Sequence, residues 1–188
     1  MAAVLLFHHT LGLTAGCVAF ADRLRDGGHV VHTPDLFEGR TFPSVTDGVR
    51  YAEEVGFATI VERGRRAAEG LPHSVILAGM SLGAMPAQML AQTCPGPAGA
   101  LLLHGCVPLS VYGGAWPPGV PLQIHTMDRD ELGDVDVARE IVAAVDGAEL
   151  HLYPGPGHLF TDPGSPDYDE AATTLVAQRV LRFLERVG

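Results

Sequence analysis

The sequence predicts a single domain built on a parallel, doubly wound α/β sheet, and two observations carry that expectation. Six short apolar runs of strand length alternate along the chain with segments of helical spacing, the pattern of βαβ units. The apolar runs at Ala3–His8, Ser74–Ala78 and Ala100–Leu103 are nearly continuous rather than alternating, as strands covered on both faces require. With 188 residues, 47% hydrophobic and 18% charged, the chain can enclose a substantial core as one domain over residues 1–188.

In order, Ala3–His8 reads as the first strand, Thr10–Gly16 as a small glycine-bearing loop, and Cys17–Asp26 as a helix closed by Gly27-Gly28. His29–Thr33 is a second strand, stopped by Pro34. Asp35–Tyr51, rich in Gly, Pro and Thr, reads as irregular chain over the strand ends, and Ala52–Gly70 as a helix. Ser74–Ala78 is the third strand, leading through a tight turn into a helix that ends near Thr93. Pro86 lies near that helix's first turn, where its missing N–H costs least. Ala100–Leu103 is the fourth strand, Gly105–Gly119 a loop, and Pro121–Thr126 the fifth strand, followed by a helix to about Val145. Ala148–Tyr153 is the sixth strand, Pro154–Asp167 a Gly/Pro-rich loop, and Glu170–Val187 a closing amphipathic helix.

Composition narrows the function classes. A net charge of −10 without any Lys/Arg cluster argues against nucleic acid and anionic membrane surfaces as partners. Three cysteines, Cys17, Cys94 and Cys106, form no paired framework, which favours a reducing compartment. Ala2–Phe7 lacks a basic leader and fits a strand better than a signal peptide. The expectation is a cytoplasmic protein acting on a small-molecule substrate as a monomer or homodimer.

In a doubly wound sheet, residues just past the carboxyl ends of the strands converge on one crevice. Gly79-Met80-Ser81-Leu82-Gly83 comes after the third strand and opens a helix, the context that gives G-x-S-x-G its meaning. The alternative, a plain Gly-Ser turn into a packed helix, is weakened by two residues further along the chain. Asp128 stands past the fifth strand and His158 past the sixth, on a glycine-rich loop. The order Ser81, Asp128, His158 is the serine–acid–histidine order of α/β-hydrolases. Serine at its free pKa needs a base to take its proton, and the base needs a carboxylate to fix its tautomer. Asp130 competes for the acid role, but Asp128 is nearer the strand end. Histidines at 8, 9, 29, 32 and 104 show no metal-ligand spacing, so no metal site is expected. Met80, Met85 and Met89 read as core packing around the turn, and Cys106 as a small buried residue.

With these residues in view, the chain resembles the dienelactone hydrolase family from Val4 to Phe183. The resemblance rests on HTPDLFEGR at His32–Arg40, on Gly79–Gly83, on HTMDRDE at His125–Glu131 and on YPGPGHLF at Tyr153–Phe160. It implies a minimal α/β-hydrolase fold without a large cap, and cleavage of small esters, lactones or thioesters through an acyl-enzyme, with no cofactor. It also implies an oxyanion hole formed by the backbone N–H groups of Leu82 and Thr10, with Leu11 as the fallback. His9, Leu11, Arg40, Met80 and Trp116 are candidate pocket residues; for Arg40 an ion pair with Glu38 or Asp35 is the plainer reading. The best-known members carry cysteine where this chain has Ser81, and glutamate where it has His9. Those differences point to a serine esterase and away from dienelactone as substrate. A general carboxylesterase or thioesterase, or a binding protein retaining the fold, are the alternatives.

Overall fold

The computed structural model describes residues 1–188, with six strands and six α-helices. The strands are β1 (Ala3–Phe7), β2 (Val30–His32), β3 (Ile76–Met80), β4 (Gly99–Leu103), β5 (Leu122–Met127) and β6 (Glu149–Tyr153). The helices are α1 (Ala15–Asp26), α2 (Val45–Val55), α3 (Phe57–Ala67), α4 (Ala84–Thr93), α5 (Val135–Ala144) and α6 (Glu170–Val187). All strand pairings are parallel, in the order β2-β1-β3-β4-β5-β6. No helix is long and apolar enough to cross a membrane.

The two-residue period of the strands divides the core into two layers. Leu5, Phe7, Leu77, Ala100 and Leu102 face α2–α5, where Ala52, Ile60, Ala87, Leu90 and Ile141 cover them. Val4, Leu6, Ile76, Ala78, Leu101 and Leu103 face α1 and α6, which contribute Phe20, Leu24, Val176, Val180 and Phe183. The strands central to this sandwich are buried on both faces, which is why they read as unbroken apolar runs.

Two parts of the sequence expectation change. The supposedly irregular Asp35–Tyr51 segment contains most of α2. Ser44 caps that helix, its hydroxyl accepting the Asp47 N–H at 3.1 Å. The helix expected over Ala52–Gly70 is divided at Gly56, whose φ of 88° no ordinary helical residue adopts. The break turns Phe57 toward the carboxyl ends of the strands. The Gly105–Gly119 loop also holds a short 3₁₀ turn at Leu109–Tyr112.

The end of β1 is fixed by a buried histidine. His8 Nδ1 donates to the His9 carbonyl at 2.8 Å, and Nε2 accepts the Leu36 N–H at 2.9 Å, so the ring is neutral. Burial is the main cause that lowers its pKa to about 4. Since the unfolded value is 6.5, unfolding takes up a proton between the two, and the stabilisation is lost as pH falls from 6.5 toward 4. The loss should approach about 3 kcal/mol. Buried His104 and His125, both also pushed down by burial, act in the same direction. Denaturant titration at pH 7 and pH 4 should show this acid loss, reduced in His8→Gln. An NMR titration placing His8 near 6.5 would refute it.

Candidate active site

Ser81 is set by the geometry of its turn. It sits between β3 and a 3₁₀ turn, Ser81–Gly83, that runs into α4, and its φ of 50° is a left-handed value rare outside glycine. Such strain persists only where neighbours fix the chain. A Cβ on Gly79 would strike the Gly83 backbone, and one on Gly83 would strike the Phe7 and His8 carbonyls. Both glycines of the motif are therefore required for β1, β3 and the turn to meet. A helix leaves its first N–H groups without intrahelical partners and carries the positive end of its dipole there, and Ser81 stands at that end of α4.

The serine hydroxyl lies 2.7 Å from Nε2 of His158. His158 is buried on the loop after β6, its N–H donating to Asp167 at 3.2 Å. Its Nδ1 lies 2.8 Å from Oδ2 of Asp130, which is 4% exposed. The expectation that Asp128 meets the histidine is thereby corrected. β5 runs one residue further than the sequence suggests, to Met127, and Asp128 is still held in sheet register by its N–H bond to the Tyr153 carbonyl at 2.7 Å. Its side chain turns outward, 42% exposed, and accepts the Gly155 N–H at 2.9 Å. The chain then turns back, and this brings Asp130 inward. Gly133 leaves room, since a Cβ there would sit 2.6 Å from Oδ2 of Asp130. Asp128 steadies the loop that carries His158, and Asp130 contacts the imidazole itself.

Ser81, His158, Leu82 and Thr10 all line one cavity of about 320 Å³. The Thr10 amide makes no backbone hydrogen bond. Its hydroxyl and Nδ1 of His104, another lining residue, are the two buried side-chain polar atoms without partners. Val45, Val49, Phe57, Met85 and Leu132 supply an apolar wall, and Asp134 is the one carboxylate in the lining. Phe57 and Leu132 are 38% and 58% exposed and stand at the mouth. Larger hollows lie beside Arg129 and Asp136, and beside Leu71 and Pro97, without Ser81 or His158.

The other expected pocket residues lie elsewhere. Met80 closes β3 on the opposite face, against α1, because strand alternation turns it away from the cavity. His9 is fully buried beside Asp162 and Cys17. Leu11 is buried in the β1–α1 loop and does not line the cavity. Arg40 lies over the Tyr51 ring at 5.1 Å, while Glu38 pairs with Arg63 instead. Trp116 bonds the Val120 carbonyl at 2.8 Å and walls a separate surface hollow. His104, absent from the sequence-based set, holds a left-handed φ of 63° at the end of β4. Its ring lies 6.2 Å from that of His158 and bonds Thr161 at 2.7 Å. Its place past a strand end was the available signal. Burial, the largest cause, holds its pKa well below the ordinary histidine value and keeps it neutral.

A parallel α/β sheet with a serine on a strained strand-to-helix turn, facing a histidine backed by a carboxylate, defines an α/β-hydrolase. The family model described as the dienelactone hydrolase family matches residues 1–188, and the chain belongs to that family; it is a carboxylic ester hydrolase. Solved structures agree in fold. A dienelactone hydrolase-like promiscuous phosphotriesterase from metagenomic libraries superposes with a TM-score of 0.79 at 18% identity, covering 100% of this chain and 87% of its own. Dienelactone hydrolase from Anabaena variabilis gives 0.74 at 19%, covering 100% and 87%. A hydrolase of the α/β superfamily from Xanthomonas campestris gives 0.64 at 21%, covering 99% of each chain. No curated protein sequence matches the chain.

Proposed function

We propose that this hydrolase cleaves small esters, lactones or thioesters through an acyl-enzyme on Ser81. The observation that carries the reading is the continuous relay from Ser81 Oγ to His158 Nε2 at 2.7 Å and from His158 Nδ1 to Asp130 at 2.8 Å. In this reading His158 takes the hydroxyl proton as Ser81 attacks the acyl carbonyl. Asp130 holds the imidazole in the tautomer that leaves Nε2 free, and stabilises the imidazolium. The amides of Leu82 and Thr10 receive the oxyanion. As the tetrahedral adduct collapses, His158 returns the proton to the departing alkoxide or thiolate. Water, deprotonated by the same histidine, then releases the acid and restores the serine.

The cavity bears on the substrate. Its volume suits a short acyl chain, its wall is apolar, and no lysine or arginine lines it. Uncharged acyl groups fit that lining, and a carboxylate-bearing acyl group would meet Asp134 without a compensating cation.

The test is intact-protein mass after treatment with a serine-directed fluorophosphonate, with Ser81→Ala as control. A single adduct on the parent that vanishes in the variant is expected. Folded parent protein that takes no adduct at mildly alkaline pH would overturn the acyl-enzyme reading.

A further inference from the structure

The densest buried polar cluster outside the reacting trio centres on Asp162. His9 is 0% exposed and Asp162 2%. Nε2 of His9 donates to Oδ2 of Asp162 at 2.8 Å, and the same oxygen accepts the Thr14 hydroxyl at 2.6 Å. Oδ1 of Asp162 accepts the Gly164 N–H at 2.7 Å. Nδ1 of His9 accepts the Leu11 N–H at 3.3 Å, and Cys17 Sγ stands 3.1 Å from Nε2. The His9, Cys17 and Asp162 donor atoms lie within 4.8 Å of one another, yet both ring nitrogens and both carboxylate oxygens are already engaged. The cluster is a closed hydrogen-bond network.

Its position gives that network a use. His9 immediately precedes Thr10, whose amide is the proposed second oxyanion donor. Asp162 lies four residues after His158 in the same loop. One bond thus spans 153 positions of sequence and joins the β1–α1 loop to the loop carrying the base. The chain is shaped around it. A Cβ on Gly16, in the first turn of α1, would run into the Asp162 carboxylate, and a Cβ on Gly48 would run into the Thr10 carbonyl from the other side. Burial disfavours the charged carboxylate, but the bonds from His9, Thr14 and Gly164 outweigh it and hold Asp162 at about 2. Because Nδ1 accepts the Leu11 N–H while Nε2 donates to Asp162, the ring holds the loop as the tautomer with its proton on Nε2.

We infer that His9 and Asp162 are positioning residues: their buried bond fixes the oxyanion loop at Thr10 relative to the loop that carries His158. The inference rests on the hydrolytic reading of Ser81 and His158. An oxyanion donor acts chiefly in the transition state, so a displaced loop lowers kcat and leaves KM in place. Misplacing a reacting group by about 1 Å costs about 10²-fold.

The test measures p-nitrophenyl acetate hydrolysis in the parent, Ser81→Ala, Asp162→Asn, His9→Ala, His9→Gln and the His9→Ala/Asp162→Asn double variant. An asparagine carries one NH₂, which faces either the Gly164 donor or the His9 and Thr14 donors. Asp162→Asn should therefore lower kcat about 10-fold to 100-fold with KM within about twofold. His9→Gln, whose amide reaches as far as Nε2, should retain more activity than His9→Ala. The double variant should lose less than the product of the single losses, the sign of a shared interaction. Folded Asp162→Asn with the parent's kcat, a loss confined to KM, or multiplicative losses in the double variant would overturn the inference. Should Asp162→Asn not fold, equal activities of His9→Gln and His9→Ala would overturn it. A parent with no Ser81-dependent turnover would overturn the hydrolytic reading and this inference together, whereas an active parent indifferent to Asp162 would overturn this one alone.

Discussion

Ser81→Ala and His158→Ala are each expected to lower kcat for a small ester by about 10⁴-fold to 10⁶-fold, with the double variant scarcely worse than either single one. The expectation comes from the shared 2.7 Å contact between Ser81 Oγ and His158 Nε2. A nucleophile without its base, or a base without its nucleophile, leaves the same incomplete relay, so the two losses cannot multiply. The Ser81→Ala change removes one oxygen at a turn held by Gly79 and Gly83, so near-parental stability should accompany the lost activity. Steady-state rates together with thermal unfolding would check both halves. A His158→Ala variant with parental kcat would rule out the relay.

Asp130→Asn is expected to cost about 10⁴-fold in kcat, by presenting an amide where the imidazole needs a carboxylate. Asp128→Asn should cost less than about tenfold, because the asparagine carbonyl oxygen can still accept the Gly155 N–H, and even the loss of that partly exposed bond would be worth only about 1 kcal/mol. The pair discriminates sharply, since the two aspartates are two positions apart. Asp130 meets Nδ1 of His158 at 2.8 Å, whereas Asp128 meets the Gly155 amide and the Arg129 guanidinium and not the imidazole. Reversed magnitudes in parallel kcat measurements would return the acid role to Asp128.

That contrast marks where the sequence stopped being informative. The sheet was legible because β1, β3 and β4 are covered on both faces and so carry unbroken apolar runs. The elbow was legible because its two glycines and serine sit at fixed distances along the chain. Choosing between Asp128 and Asp130 required the end of β5 to within one residue, and there a single register step decides whether a side chain faces water or the imidazole. Helix α2 could have been found, since Ser44 and Asp47 supply a capping signal, but the surrounding Gly, Pro and Thr hid it. His9 could not be placed from sequence at all. Its partner lies 153 positions away, and nothing local says that a histidine after a first strand will turn inward.

The helix break at Gly56 carries a consequence for how this molecule could change. The atoms proposed to do the chemistry lie past the ends of β1, β3, β5 and β6. Much of the surface a substrate would touch comes from Val45 and Val49 of α2 and from Phe57, just past the break. Those side chains can be exchanged for larger or smaller ones without disturbing a strand register or the turn at Ser81. Selection, natural or in the laboratory, can therefore reshape what is accepted while leaving how it is cleaved untouched.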